Sequence, residues 1–469
     1  MSDTVQFVAI LRKKCSALEV GPQRYQRQTK VCVGHSSTLM TDSKRIVLST
    51  FGSFGDIHPY IAIALELKAR GHWPVIATSE VYREKFDVLG LEFHPVRPDM
   101  PSYDDTEELL KLSAELIDPK AGTERVMQLF TSNPREVYED LDAAVAGADL
   151  LLTHPLPLVG PLVAQKRRIP WVSSVLAPIS FFSAYDPPVP PQMPALYHLV
   201  RLSPFLGRLF YRVASQKLEK VMEPVYRLRA ELALPRGEQP LLAGQHSPQM
   251  VLALFSSVLA SAQPDWPANT RVTGFPFYDR RDFFGETQSS AELLEFLDAG
   301  PAPIVFTLGS SAFWVANEFY QDSIRAAQAL GQRALLLIGH PRNLPVEPLP
   351  SGVAAFEYAP FGEVLPRALA IVHQGGVGTT GQGLRAGRPV LVVPHAHDQF
   401  DNASRVVRLG CGRSIARPRY NSQNATRELR ALLDNHDYAN RALEVGRQVQ
   451  KENGAGAAVD AIEELLNNP

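Results

Sequence analysis

His373-Gln374-Gly375-Gly376-Val377-Gly378-Thr379-Thr380-Gly381 decides how this chain is read. The apolar run Ala370-Ile371-Val372 leads into it, and Thr379 to Arg385 continues from it with helical patterning. A strand, a glycine turn and a helix start leave backbone N–H groups converging on one spot, where the helix dipole also favours negative charge. That geometry suits a phosphate or diphosphate. His373 adds a donor at the entrance, and Thr379 and Thr380 add hydroxyls. After a further apolar run, Val390 to Val393, come Asp398 and Gln399, side chains suited to the hydroxyls of a neutral polyol. Phosphate cradle and polyol clamp together predict a nucleotide-sugar site.

The same run contains a G-x-G-x-x-G, Gly376 to Gly381, with Asp398 at roughly the distance of a ribose-binding acid in a dinucleotide fold. Such a fingerprint normally opens the first strand–helix unit of its domain, whereas this one follows several such units. Nothing in the dinucleotide pattern calls for His373 or Gln399. A purely structural turn is a third reading, but so many glycines are conformationally costly unless something approaches the backbone closely. The sugar-nucleotide reading is the one carried forward.

The chain has 469 residues, enough for two or three domains at ~150 residues each. With 45% hydrophobic and 20% charged residues it has a globular composition, and a formal net charge of -2 offers no footprint for nucleic acid. Cys15, Cys32 and Cys411 make neither a disulfide framework nor a metal-ligand spacing, which leads us to expect a cytoplasmic protein. The apolar stretches from Leu150 and from Ile169 are broken by prolines and fall short of the ~20 residues a membrane span needs.

Around the glycine run the chain divides in two. Residues 1–40 lack apolar periodicity and are expected to be a disordered tail. From Arg45 the pattern alternates strand and helix: Ile46 to Thr50, a turn Gly52-Ser53-Phe54-Gly55-Asp56, a helix with Pro59 in its first turn, then Trp73 to Thr78, Val81 to Leu89 and Leu91 to Pro95. Asp149 to Thr153 and Pro170 to Ser174 read as later strands. The grammar restarts at Pro303 to Leu308, again followed by a small-residue turn, Gly309-Ser310-Ser311. Repeated βαβ units predict an α/β fold of two Rossmann-like parallel-sheet domains, 41–280 and 301–469, joined by a linker at 281–300 and facing each other across a cleft. Within the first of them, Phe205 to Tyr211 lies among Arg208, Arg212, Lys217 and Lys220. We read this stretch as a surface helix pair lining the cleft, with peripheral membrane contact as the alternative.

With these residues in view, the chain from Arg45 onward resembles the nucleotide-sugar-dependent glycosyltransferases of the UDP-glycosyltransferase superfamily, of GT-B fold. The closest pattern is the bacterial and fungal branch of antibiotic, sterol and rhamnosyl transferases. Two motifs carry the resemblance: Gly52-Ser53-Phe54-Gly55-Asp56-Ile57-His58-Pro59 and His373 to Asn402. It implies that His373 and the backbone of Gly375, Gly376, Gly378, Thr379 and Thr380 hold a diphosphate, aided by Ser310 or Ser311. It implies further that Asp398 and Gln399 hold the donor sugar and that Tyr358 stacks on the base. Plant relatives have a tryptophan at the base-stacking position and a ribose-binding glutamate near position 381; here those places hold Tyr358 and Gly381. The missing carboxylate leaves room for a TDP donor beside a UDP one.

Glycosyl transfer to an alcohol needs a base opposite the leaving group, hence from the N-terminal half. Asp56 is the candidate, with a pKa raised by partial burial, and His58 competes with it. The bland alternative for Asp56 is a cap on the helix that starts at Pro59. No metal or other cofactor is expected beyond the nucleotide-sugar co-substrate. The literal Asp140-Leu141-Asp142 sits in a helical pattern and reads as a solvated face. Phe181, Phe182 and Tyr185 are the candidate walls for a hydrophobic acceptor. An inverting glycosyltransferase is thus expected. A GT-B epimerase acting on the donor alone and a non-catalytic nucleotide-sugar-binding subunit are the alternatives.

Overall fold

Among the described residues, thirteen short strands pair in parallel to form two sheets. The computed structural model describes residues 43–102, 105–118, 121–190, 196–279, 290–345 and 348–467. The expected tail at 1–40 lies outside them. The first sheet contains β1 (Arg45–Ser49), β2 (Trp73–Thr78), β3 (Glu92–Pro95), β4 (Leu150–Thr153), β5 (Trp171–Val175), β6 (Met250–Ala253) and β7 (Thr270–Val272). The second contains β8 (Ile304–Thr307), β9 (Ala334–Leu337), β10 (Val353–Phe356), β11 (Ala370–His373), β12 (Val390–Val392) and β13 (Gly412–Ser414). Ile46, Val47 and Leu48 of β1 and the Leu150–Leu152 run of β4 are wholly buried, as expected where helices cover both faces.

The strand order is β3-β2-β1-β4-β5-β6-β7 in the first sheet and β10-β9-β8-β11-β12-β13 in the second. Each order reverses between its first and fourth strands. At such a switch point the two connections leave in opposite directions, and a crevice opens beyond the carboxyl ends of the strands. The turn carrying Asp56 follows β1, and the glycine run follows β11. Topology alone therefore puts both sequence motifs at crevices.

The helices covering the sheets include α1 (Phe54–Ala69), α2 (Pro134–Ala144), α3 (Pro204–Val221), α4 (Val377–Ala386), α5 (Gln399–Arg408) and α6 (Gly454–Asn467), of which α1, α4 and α5 build the site. Helix α1 starts five residues before the expected Pro59, which is instead the sixth helical residue. Ser53 is the N-cap and Asp56 completes a capping box with it, a local signal strong enough to set the start ahead of the proline.

The expected domain limits change at two places. Ala291–Asp298, inside the expected linker, is a helix whose Leu293 and Leu297 join the same core as Val305 and Leu335. Helix α6 returns to the N-terminal half, where Ala458, Val459, Ala461 and Ile462 pack with Ile57, Ile61 and Leu67 of α1. Arg70, just past α1, pairs with Asp460 at 2.6 Å and Glu463 at 2.9 Å.

A buried ion cluster also joins the halves. Arg405 of α5 donates to Asp401 at 2.7 Å and to Asp186, in the segment after β5, at 2.5 Å. Arg408 reaches the other Asp186 oxygen at 2.9 Å, and Val189 N–H donates to Asp401 at 3.3 Å. Arg405 and Asp401 are both almost fully enclosed. Burial raises the Asp401 carboxyl while the adjacent guanidinium works against the rise.

Candidate active site

Asp56 stands where the two crevices meet. Its Oδ2 accepts the Ser53 N–H at 2.9 Å and the Ser53 hydroxyl at 3.3 Å, so one oxygen is held by the capping box. Oδ1 lies 4.0 Å from Nε2 of His154, the residue that follows β4. The carboxylate is surrounded by protein yet keeps 35% of its side-chain surface open. Burial raises its pKa to about 6, against the opposing hydrogen bonds from Ser53. Asp56 is therefore a cap, through Oδ2, and a candidate base, through Oδ1.

The second half comes to meet it. The Ser310 hydroxyl donates to the Ser53 hydroxyl at 3.1 Å, and a Cβ placed on Gly378 would lie 4.0 Å from Gly55 Cα. The N-termini of α1 and α4 thus face one another, and their positive dipole ends converge. Ser311 lies in the same helical turn, Gly309–Ala312, as Ser310.

Asp398, N-terminal to α5, accepts the Val377 N–H at 3.2 Å and the Asn402 amide at 2.7 Å. Burial, and next the nearby Asp56 charge, raise its pKa to about 7. Two carboxyls with raised pKa values therefore lie near enough at the junction for the charge of one to bear on the other. Helix geometry leaves the N–H groups of Gly378 and Thr379 without intrahelical acceptors, while Thr380 N–H already bonds Gly376 O.

Several sequence-predicted roles need correction. His373 is fully buried: its Nδ1 accepts the Gly375 N–H at 3.0 Å, and Nε2 is enclosed without a partner. It shapes the turn from behind rather than facing a phosphate, and burial lowers its pKa to about 4. Gly375 needs to be glycine here, at φ 94 with Val392 and the Gln399 carbonyl pressed against it. Gln399 commits its amide oxygen to the N–H groups of His395 and Ala396, at 2.8 and 3.1 Å, so only its NH₂ remains for a sugar. His58 points away from the junction, since residues two apart on a helix diverge by about 200°. Its ring stacks on Phe54 and lies against Tyr278, and burial, then the Lys85 charge, lowers its pKa to about 3. That removes His58 as a rival base.

The other candidates divide. Thr380 is buried with its hydroxyl unpartnered, and Thr379 is almost as enclosed. Tyr358 is exposed beyond β10, at the carboxyl edge where a base could stack. Phe181 and Phe182 line a cavity of about 510 Å³ with Tyr211, His246 and Trp266. Phe181 is itself core, stacked on Trp266 at 4.0 Å. Tyr185 is not part of that cavity; its hydroxyl accepts from Arg208 at 2.9 Å. Asp140 and Asp142 lie on α2 and are neutralised by Arg97 and Arg167 respectively. Among the described residues, no group of three or more His, Cys, Asp or Glu side chains has the arrangement of a metal site.

The structure adds residues that sequence reading passed over. His154 could have been found as the polar residue just after β4 at the switch point. Gln374 could not: its buried amide lies where a Cβ on Gly309 would be, 2.2 Å away, and so locks the β8 turn to the glycine run. Asn402 ties Asp398 to the Gly375 carbonyl, donating to the latter at 2.9 Å.

A two-sheet enzyme with a carboxylate and a helix-terminal N–H cradle at facing switch points defines a glycosyltransferase of GT-B architecture. Residues 46–152 match the glycosyltransferase family 28 N-terminal domain, and residues 327–465 match the C-terminal domain of the erythromycin biosynthesis protein CIII-like family. The chain belongs to the UDP-glycosyltransferase superfamily. It is similar to O-mycaminosyltylonolide 6-deoxyallosyltransferase of Streptomyces fradiae, with 29% identity over 430 residues, 90% of this chain and 97% of that one. It is 28% identical over 435 residues to sterol 3-beta-glucosyltransferase of Leptosphaeria maculans, covering 89% of this chain but 28% of the relative's length. The fold matches that of glycosyltransferase VinC in complex with DTDP, with a TM-score of 0.61, 17% identity, and coverage of 91% and 100%.

Proposed function

We propose that this glycosyltransferase inverts the anomeric centre and works without a metal. It moves a hexose or deoxyhexose, rhamnose or glucose, from a TDP- or UDP-sugar to a hydroxyl of a hydrophobic acceptor such as a flavonoid, another natural product, a sterol or a lipid. The observation that carries the reading is the place of Asp56, a partly exposed carboxylate in the first turn of α1, where α1 meets the α4 N-terminus across the domain junction. Oδ1 takes the acceptor's hydroxyl proton as the acceptor oxygen attacks the anomeric carbon. The bond from that carbon to the diphosphate oxygen breaks on the far side, which inverts the configuration. The departing diphosphate carries the released electron pair, and the N–H groups of Gly378 and Thr379 with the α4 dipole stabilise it. Neutral His154, its pKa lowered to about 4 by burial, places no competing positive charge beside the base. Similarity to O-mycaminosyltylonolide and sterol glycosyltransferases supports an apolar acceptor; the aromatic cavity lies apart, lined by no residue of the junction.

The choice of donor rests on less. Gly381 is packed against the Phe275 ring, 2.9 Å from where its Cβ would be. Its lack of a carboxylate therefore reflects packing and does not speak for TDP. Similarity to a deoxyallosyltransferase and to a protein bound to DTDP still favours a TDP-deoxysugar. The test compares kcat/KM for TDP- and UDP-linked forms of one sugar, with and without EDTA, and reads the product's anomeric configuration by NMR. We expect TDP preference, inversion and no effect of EDTA. A preference of more than about tenfold for UDP overturns the donor, and inactivation reversed by Mg²⁺ overturns the metal-free mechanism.

A pH dependence follows from the two carboxyls. The base must be ionised, so kcat/KM should fall as pH drops through about 6, the value to which burial raises Asp56. Both carboxyls are raised above the ordinary carboxylate range near 4. Their contribution to stability is therefore fully present below that range and is lost as pH rises through about 6 and 7. Activity and thermal stability should thus run in opposite directions across this window. A flat rate profile between pH 5 and pH 7 would remove Asp56 from the base role.

A further inference from the structure

Helix α3 turns the usual amphipathic arrangement outward. Its inner face is anchored: Gly207 packs on Ala184, and Tyr211 donates to the Ser183 carbonyl at 3.3 Å and meets the Phe182 ring edge-on at 5.9 Å. Its outer face carries Phe205, Leu209 and Val213, spaced four residues apart and therefore in one row along the helix. Leu199 and Leu202, just before α3, are exposed as well, with Leu202 73% and Phe205 70% exposed. Of the twelve large apolar side chains exposed among the described residues, five lie between positions 199 and 213. That density is a patch, not scatter.

Charge points to the occupant. Arg208, Arg212 and Lys220 form the neighbouring exposed row, and exposed Arg201 sits beside Leu202. No aspartate or glutamate occurs between Asp186 and Glu219. Glu219 is held by Arg236 and Tyr226. Arg208 donates to the neutral Tyr185 hydroxyl, Arg201 lies over the Tyr197 ring, and neither these two nor Arg212 forms an ion pair among the described residues. A rigid helix with an apolar row beside un-neutralised cations fits the boundary between headgroups and acyl chains of an anionic bilayer. A protein partner would need carboxylates placed to match and would cover the apolar row with a shaped surface, and no feature of this face selects one.

We propose that the segment from Leu199 to Lys220 docks the enzyme, α3 lying in the plane of the interface, on an anionic lipid bilayer. The inner side of α3 roofs the aromatic cavity through Tyr211. Among the described residues no helix is long and apolar enough to cross a membrane, so contact is by the surface of the folded chain.

The test is co-sedimentation of the full chain with vesicles of phosphatidylcholine alone or of phosphatidylcholine with phosphatidylglycerol. Binding is expected to the anionic vesicles and to weaken as salt is raised. Phe205→Glu with Leu209→Glu should reduce binding more than about tenfold, because two apolar side chains no longer enter the lipid. Arg201→Ala with Arg212→Ala should reduce it and flatten the salt dependence. These exposed positions leave circular dichroism and turnover of a water-soluble acceptor unchanged. Absence of wild-type binding to anionic vesicles, or wild-type binding by the Glu variant, overturns the proposal. So does a self-association without vesicles, seen by sedimentation velocity and abolished by the Glu variant, which would make the face a protein interface.

Discussion

Asp56→Asn is expected to lower kcat by about 10²–10⁴-fold, the range for removal of a general base, with little change in the KM for the donor. Asparagine is nearly isosteric, and its amide oxygen can still accept the Ser53 N–H that Oδ2 now takes at 2.9 Å. The capping box and the fold therefore survive, and the loss isolates proton transfer. A melting temperature within error of wild type, together with the fall in kcat, is the expected pair of results. If Asp56→Asn retains most of its turnover, the base is another group, and His154, 4.0 Å from Oδ1, is the first to test.

Arg405→Met should cost about 3–5 kcal/mol of stability, the range for breaking a buried ion pair by removing one partner. Methionine fills much of the space but leaves Asp401, almost fully buried, without its cation, and Asp186 with Arg408 alone. The melting temperature should fall by roughly 3–5 °C. Because Asp186 and Arg405 belong to opposite halves, and α5 begins just after Asp398, the donor KM should rise as well. Adding Asp401→Asn to Arg405→Met should restore part of the stability by removing the stranded charge. Failure of the second substitution to restore any would mean that packing, not charge, holds this junction.

The two expectations differ in how far each was legible beforehand. Asp56 sits in a contiguous motif, and the glycine turn around it announces a strand end, so its place at a switch point follows from chain order alone. Asp186 and Arg405 are separated by 219 positions, and nothing local to either links them. The same division runs through the strands. β1, β4, β8 and β11 are apolar runs bounded by turns and were readable. β7, Thr270-Arg271-Val272, and β13, Gly412-Arg413-Ser414, were not, because three-residue edge strands half open to solvent carry little apolar signal.

His373 and Gln399 mark the limit most clearly. Residue type and spacing placed both in the donor half, and both are there. Their roles turned on which way the side chain faces, and that depends on which backbone groups are left without partners once the turns close. Gly375 N–H needed an acceptor and found His373; His395 and Ala396 N–H needed one and found Gln399. Local pattern, carried by glycine turns, helix starts and apolar periodicity, was sufficient for two parallel sheets, the glycine turn after β11 and the carboxylate-bearing turn after β1. The meeting of α1 with α4, the return of α6 to the first half and the outward apolar row of α3 came only with the folded chain. Each depends on contacts between segments far apart in sequence, whose burial and charge balance no short window of residues contains.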